Sequence, residues 1–143
     1  MVELLPYIYL TYMFISLYML TLFLIIYHRN RKNFFDYPKS SRKYSISFIV
    51  PAYNEEKTIR DSIDHIMDIN YDIDEIIVVN DNSNDNTRKI VEYLALTNSK
   101  IRLINNENNL GKAGGLNVGS KIASSELVAV VDADSFPLKN SLN

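Results

Sequence analysis

The sequence predicts an α/β domain built on a parallel sheet and preceded by one transmembrane helix. Three observations carry this. The 24 residues from Leu4 to Tyr27 contain no charged side chain. Beyond them, four short runs rich in β-branched residues alternate with three segments of helical periodicity, in the order βαβαβαβ. Each of the four runs ends in a cluster of polar residues, as expected where an open sheet meets a ligand at the carboxyl ends of its strands.

The apolar segment comes first. As a helix it spans about 36 Å at about 1.5 Å per residue, enough to cross a bilayer. Tyr7, Tyr9 and Tyr27 suit head-group depth, whereas Tyr12 and Tyr18 lie deeper and need partners. A secretory signal peptide fits poorly, because Glu3 precedes the run and the basic residues follow it. A buried core helix is the plainer alternative. The flank Arg29, Arg31, Lys32, Lys39, Arg42 and Lys43 predicts a single-pass membrane protein whose following part faces the cytoplasm. Residues 1–27 are thus read as the membrane helix and 28–43 as a basic juxtamembrane linker, broken by Pro38 and Ser40-Ser41, that also suits anionic membrane lipid. Residues 44–143 form the domain.

Ser45–Val50, Glu75–Val79, Ile101–Ile104 and Leu127–Val131 read as buried strands. Between them, Lys57–Ile69, Thr87–Leu96 and Lys112–Ala123 space their apolar residues as helices do. Right-handed crossovers then make the sheet parallel. Asn86 or Thr87 is the expected cap of the second of these helices. Asp61, Asp64, Asp68 and Asp72 read as a solvated helix face.

Composition excludes several functions. No cysteine is present, which removes disulfides, Cys-based zinc sites and thiol nucleophiles. Met1–Tyr27, His28–Lys43 and Tyr44–Asn143 carry formal charges of −1, +5 and −6. A domain of net −6 lacks the basic footprint of a nucleic-acid binder. All four glycines fall between Gly111 and Gly119, yet Ala113 breaks a GxGxxG pattern and Asn106 breaks a P-loop. Dinucleotide and Walker-type sites are therefore disfavoured. Lys112 remains as a cation at a helix start, and Asp132 and Asp134 as hard oxygen ligands at a strand end, suited to Mg²⁺ or Mn²⁺ bridging a diphosphate.

The segments Phe48–Glu56 (FIVPAYNEE), Ile77–Ser83 (IVVNDNS), Gly111–Asn117 (GKAGGLN) and Val131–Asp134 (VDAD) together resemble glycosyltransferase family 2 over Ser45–Pro137. The GKAGGLN form and the preceding apolar segment are most similar to the membrane-bound polysaccharide synthases of that family, such as cellulose, hyaluronan and poly-N-acetylglucosamine synthases. The resemblance implies an inverting, nucleotide-sugar-dependent enzyme of the GT-A (Rossmann-like) fold, of which this chain holds the N-terminal, donor-binding half-domain. It implies that Tyr53 stacks on the base, with Pro51, Ala52 and Glu55 in the same pocket. Asp81 accepts a hydrogen bond from the base, usually uracil, and a UDP-sugar is the expected donor. Lys112 contacts the nucleotide, Asp132 the ribose or diphosphate, and Asp134 the divalent metal, with Asp132 beside it. Asn80 departs from the aspartate of many relatives.

Family members continue well past this point, and their later half supplies the acceptor site, the general base and a QxxRW motif. No residue of the chain is a candidate for the base. The expectation is a truncated product, or one completed by a second polypeptide. The competing reading is a catalytically silent, membrane-tethered nucleotide-binding module.

Overall fold

The computed structural model describes residues 4–35 and 42–142. The chain divides into two compact units, Met1–Arg42 and Lys43–Asn143.

The described part of the first unit contains one long helix, α1 (Leu5–Phe35), of 31 residues. Its stretch Leu5–Lys32 is long and apolar enough to cross a membrane. Apolar side chains project on every side and are exposed. Three of its polar side chains are satisfied within the helix. Thr11 and Thr21 donate to the carbonyls of Tyr7 and Leu17 at 2.8 and 2.7 Å, and Asn30 donates to that of Ile26 at 3.0 Å. The helix does not stop at Tyr27, the expected end of the apolar helix, but runs on into the segment 28–43 expected as a linker. It continues to Phe35, because Arg29, Arg31 and Lys32 are helix-compatible and neither Gly nor Pro intervenes. Pro38, Lys39 and the Ser40-Ser41 pair lie outside the described residues.

The second unit runs β1 (Ile46–Ala52), α2 (Ile59–Met67), β2 (Glu75–Asn80), α3 (Thr87–Thr97), β3 (Ile101–Asn105), α4 (Gly111–Ile122) and β4 (Leu127–Val130). The four strands form one parallel sheet in the order β3-β2-β1-β4. Strand periodicity divides their side chains between two faces. Phe48, Val50, Ile76 and Val78 pack with Ile59, Ile63 and Ile66 of α2 and with Val91 and Leu94 of α3. Ile49, Ile77 and Val79 pack on the other face against Leu116, Val118 and Ile122. Helices α2 and α3 therefore cover one side and α4 the other.

Two contacts pin α4. A Cβ on Gly119 would stand 2.6 Å from Ile49 Cγ2, so only glycine lets the helix lie this close. At its carboxyl end the connection to β4 is tied to Glu75. The Oε1 atom of that residue accepts from the Ser124 amide (2.8 Å), the Ser124 hydroxyl (2.7 Å) and the Ser47 hydroxyl (2.8 Å), while Oε2 takes the Arg102 guanidinium at 2.6 Å. Burial pushes the Glu75 carboxyl up, but these hydrogen bonds outweigh it and lower its pKa from an ordinary 4.5 to about 2.

The expectation of four buried strands holds for β1 and β2 only. Strand β3 is partly covered and β4 is largely exposed. The reason is position: among the described residues, β4 pairs with β1 alone and forms a sheet edge.

Two outcomes follow for stability. Gly119→Ala should destabilise the domain by about 1–3 kcal/mol through overpacking on Ile49; an unchanged thermal midpoint would show that α4 can retreat freely. Because the folded pKa of Glu75 lies below its unfolded value, its contribution is complete above about pH 4.5 and is lost as the pH falls toward 2. The shift corresponds to about 3 kcal/mol. Glu75→Gln should remove most of that at neutral pH and flatten the acid limb between pH 5 and 2, measured by thermal unfolding across that range. An acid limb as steep as the wild type's would assign the acid sensitivity to other carboxylates.

Candidate donor site at the strand-order switch

The chain leaves β1, moves outward through β2 and β3, then crosses back by α4 to place β4 on the opposite flank of β1. The reversal falls between β1 and β4. Loops leaving these two strands part there and open a crevice. A cavity of about 300 Å³ occupies it. All eight residues singled out from the sequence line it: Pro51, Ala52, Tyr53, Glu55, Asp81, Lys112, Asp132 and Asp134. Asn109, Gly111, Gly115 and Ala133 complete the lining.

Pro51 and Ala52, expected in the loop, are the last residues of β1. Proline is tolerated in this central strand for a local reason. Ile49 accepts from the Val131 amide at 3.1 Å on the β4 side, so alternation turns the amide-less Pro51 nitrogen to the same side, beyond the end of β4. The carbonyl of Ala52 accepts from the Asp81 amide at 2.9 Å, which joins the first two strand ends.

Tyr53 stands at the mouth with 47% of its surface exposed. The loop behind it is clamped to the β2–α3 loop. The amides of Asn54, Glu55 and Glu56 donate to Ser83, Thr87 and Asp85 side chains at 3.0, 2.8 and 3.0 Å. In return Asn84 donates its amide to Asn54 Oδ1 at 2.8 Å, and Asn86 donates twice to Glu56 at 3.0 Å. Asn54 and Asn82 take left-handed conformations, with φ of 57° and 60°, which asparagine tolerates better than most residues. Neither Asn86 nor Thr87 caps α3 with its side chain, contrary to expectation. Asp85 does so, accepting from the Thr87 amide at 2.9 Å and hydroxyl at 2.6 Å. Burial raises the Asp85 carboxyl, but these bonds and the Glu56 amide hold it below its ordinary value. Glu55 accepts from the Thr58 hydroxyl at 2.7 Å, so its carboxylate is already partly engaged.

Asp81 directly follows β2 and is only 4% exposed. Its Oδ1 accepts from Asn106 Nδ2 at 2.8 Å and from the Leu110 amide at 2.9 Å. The departure at Asn80 is accommodated: its amide donates to Asn105 Oδ1 at 2.9 Å and its Oδ1 accepts from the Ser83 amide at 3.3 Å. Gly111 opens α4 with φ of 71°, a conformation that favours glycine. Next to it, Lys112 forms an ion pair with Asp132 at 2.6 Å across the cavity. Asp134 is exposed and pairs with no described residue. No group of three or more metal-ligating side chains occurs among the described residues. Two carboxylates at one strand end nonetheless fit Mg²⁺ or Mn²⁺, which take one or two protein carboxylates and fill the remaining positions with phosphate and water.

Asn106 and Asn109 escaped the sequence reading. The signal was the excess of asparagine, sixteen in the chain with four between Asn105 and Asn109. Asn109 Oδ1 accepts from the Gly111 amide at 3.0 Å and so shapes the entry to α4.

Residues 47–143 match the family model described as Glycosyl transferase family 2. Over 90 residues the chain is 41% identical to a poly-beta-1,6-N-acetyl-D-glucosamine synthase of Staphylococcus epidermidis, covering 63% of this chain and 22% of that protein. The crystal structure of residues 1–349 of S. aureus TarS in complex with UDP superposes with a TM-score of 0.62 at 32% identity, covering 68% of this chain and 30% of that one. The mannosyltransferase PcManGT from Pyrobaculum calidifontis, in complex with GDP-Man and Mn²⁺, does so with a TM-score of 0.65 at 28% identity, covering 80% and 36%. The chain therefore spans about a fifth of the length of the curated relatives it matches first. With the family model matched across nearly the whole second unit, and a parallel α/β sheet shared with these structures, the chain belongs to glycosyltransferase family 2.

Proposed function

We propose that this chain carries the donor site of a membrane-anchored glycosyltransferase. It would bind a nucleotide-sugar, with a UDP-sugar as the expected donor, together with a divalent metal. The transfer would proceed with inversion to a polysaccharide, glycan or lipid acceptor. The observation that carries the reading is the convergence of eight residues from separate segments on one cavity at the strand-order switch.

Each residue offers chemistry suited to one part of such a donor. The half-exposed ring of Tyr53 provides a face for the base, with Pro51, Ala52 and Glu55 around it. Asp81 supplies an acceptor for a base N–H. Lys112 offers a cation to the diphosphate, leaving Asp132 to meet the ribose or the metal. Asp134, free of any described partner, is the metal ligand, with Asp132 beside it. The metal, when bound, neutralises the diphosphate and stabilises it as the leaving group. That also reconciles a domain of net −6 with an anionic ligand.

The UDP in the TarS structure supports a uridine nucleotide, and the Mn²⁺ in the mannosyltransferase supports a divalent metal. Inverting transfer also needs a base to deprotonate the acceptor hydroxyl. The cavity carboxylates all serve the donor here, so the acceptor side is assigned to sequence beyond the matched segment or to a completing polypeptide. Helix α1 is read as the membrane span, with Arg29, Arg31 and Lys32 on the cytoplasmic side, where they also meet anionic lipid. The second unit then faces the cytoplasm.

Calorimetric titration of UDP into the detergent-solubilised chain, first with Mn²⁺ and then with EDTA, tests the donor site. Binding with Mn²⁺ that is lost in EDTA is the expected result. Asp134→Ala should abolish the metal-dependent part, and Tyr53→Ala should weaken UDP by roughly 5- to 150-fold, the range for loss of one base–aromatic stack. No binding in a folded sample overturns the reading, and unchanged affinity in Asp134→Ala removes the metal role.

A further inference from the structure

We infer that Asn106 is a positioning residue that holds Asp81 for base recognition and thereby sets the preference among nucleotide bases. The inference rests on the donor-site reading above. Asn106 is not one of the residues lining the cavity, so any effect it has on a nucleotide passes through another group.

Both hydrogen bonds to the Asp81 side chain fall on one oxygen. Oδ1 takes the Asn106 amide at 2.8 Å and the Leu110 main-chain amide at 2.9 Å, both from the β3–α4 connection. No described donor reaches Oδ2, and no buried side-chain oxygen among the described residues lacks a partner, so Oδ2 opens to the cavity that Asp81 lines. One oxygen held twice and one left open make the carboxylate an acceptor with a fixed direction. Such a group matches a ring N–H, as in uracil or guanine, and opposes the ring-nitrogen lone pair that cytosine or adenine presents at the equivalent edge. Discrimination of this kind fails when the acceptor can swing, since a rotated carboxylate finds water instead.

The amide of Asn106 has no freedom of orientation here. A carboxylate offers no hydrogen, so Nδ2 must face Asp81. Its main chain is anchored in turn, donating to the Asn80 carbonyl at 2.9 Å, and Asn80 is itself tied to Asn105. Leu110, the second donor, lies two residues before Lys112. The same carboxylate thus links the base end of the cavity to the lysine at its phosphate end.

The test uses the whole chain in detergent with Mn²⁺, titrated with UDP and, by competition, with CDP. The wild type should prefer UDP. Asn106→Ala should weaken UDP by about tenfold and narrow the preference over CDP, in a variant that stays folded with a thermal midpoint lowered by the loss of one charge-assisted hydrogen bond. Asn106→Asp, isosteric but without a donor, should weaken UDP further by setting two carboxylates against each other; Asn106→Ala alone decides the matter if that variant does not fold. In an Asp81→Asn background, Asn106→Ala should add little, because the group it positions has already been changed. Unaltered UDP affinity in Asn106→Ala, an unaltered ratio of UDP to CDP, or full additivity with Asp81→Asn would each overturn the inference. A folded wild type that binds neither nucleotide overturns the donor-site reading, and this inference with it.

Discussion

The close approach of α4 to β1 is the constraint on which the site depends. Three crossovers build this sheet, and the last must carry the chain from β3 on one flank to β4 on the other. It does so across the face opposite α2 and α3, seated on Ile49, Ile77 and Val79. A side chain at Gly119 would hold the helix away from Ile49. Because α4 begins with Gly111 and Lys112, the depth at which it sits decides where the lysine meets Asp132. The Glu75 cluster secures the far end of the same helix, where Ser124 follows it. One end of α4 is thus held by a buried charge and the other contributes to the cavity.

Polar groups at the carboxyl end of the sheet are satisfied chiefly by neighbouring loops. Short asparagine and aspartate side chains bridge main-chain amides that turns leave without helix or sheet partners. The β1–α2 and β2–α3 loops exchange hydrogen bonds through Asn54, Glu56, Ser83 and Asp85, which leaves the Tyr53 ring presented on a firm base. The β3–α4 connection is bound through Asn105, Asn106 and Leu110. Such mutual bonding lets loops rather than regular elements hold a site in one geometry.

The charge distribution follows the same division. Basic residues gather after the apolar part of α1, while the second unit is acidic and keeps a lysine in its cavity. The Lys112–Asp132 pair sits where an anionic group and a cation would each find a partner. The segment that follows β4 contributes two carboxylates to the cavity, Asp132 and Asp134, and β4 itself is an exposed edge of the sheet. Its apolar side chains are therefore the least covered of the four strands.

Most of the elements were legible in the sequence because their signals are local. Periods of two and 3.6 residues repeat within a few turns or pleats, and the observed bounds differ from the predicted ones by only one or two residues at most ends. The motif residues were legible too, since all but Lys112, which opens a helix, stand at or just after the end of a strand. What periodicity cannot carry is the identity of partners distant in the chain. Asn106 meets Asp81 across 25 positions, and Ser125 donates its amide to Ser47 across 78. The order β3-β2-β1-β4, the exposure of β4, the cap from Asp85 and the extension of α1 to Phe35 all lay beyond the reading. The sequence by itself determined which segments are strands and helices and which side chains have chemistry to offer. The tertiary structure alone decided which of them share a cavity, because that depends on how the sheet is ordered and how deeply one helix packs against it.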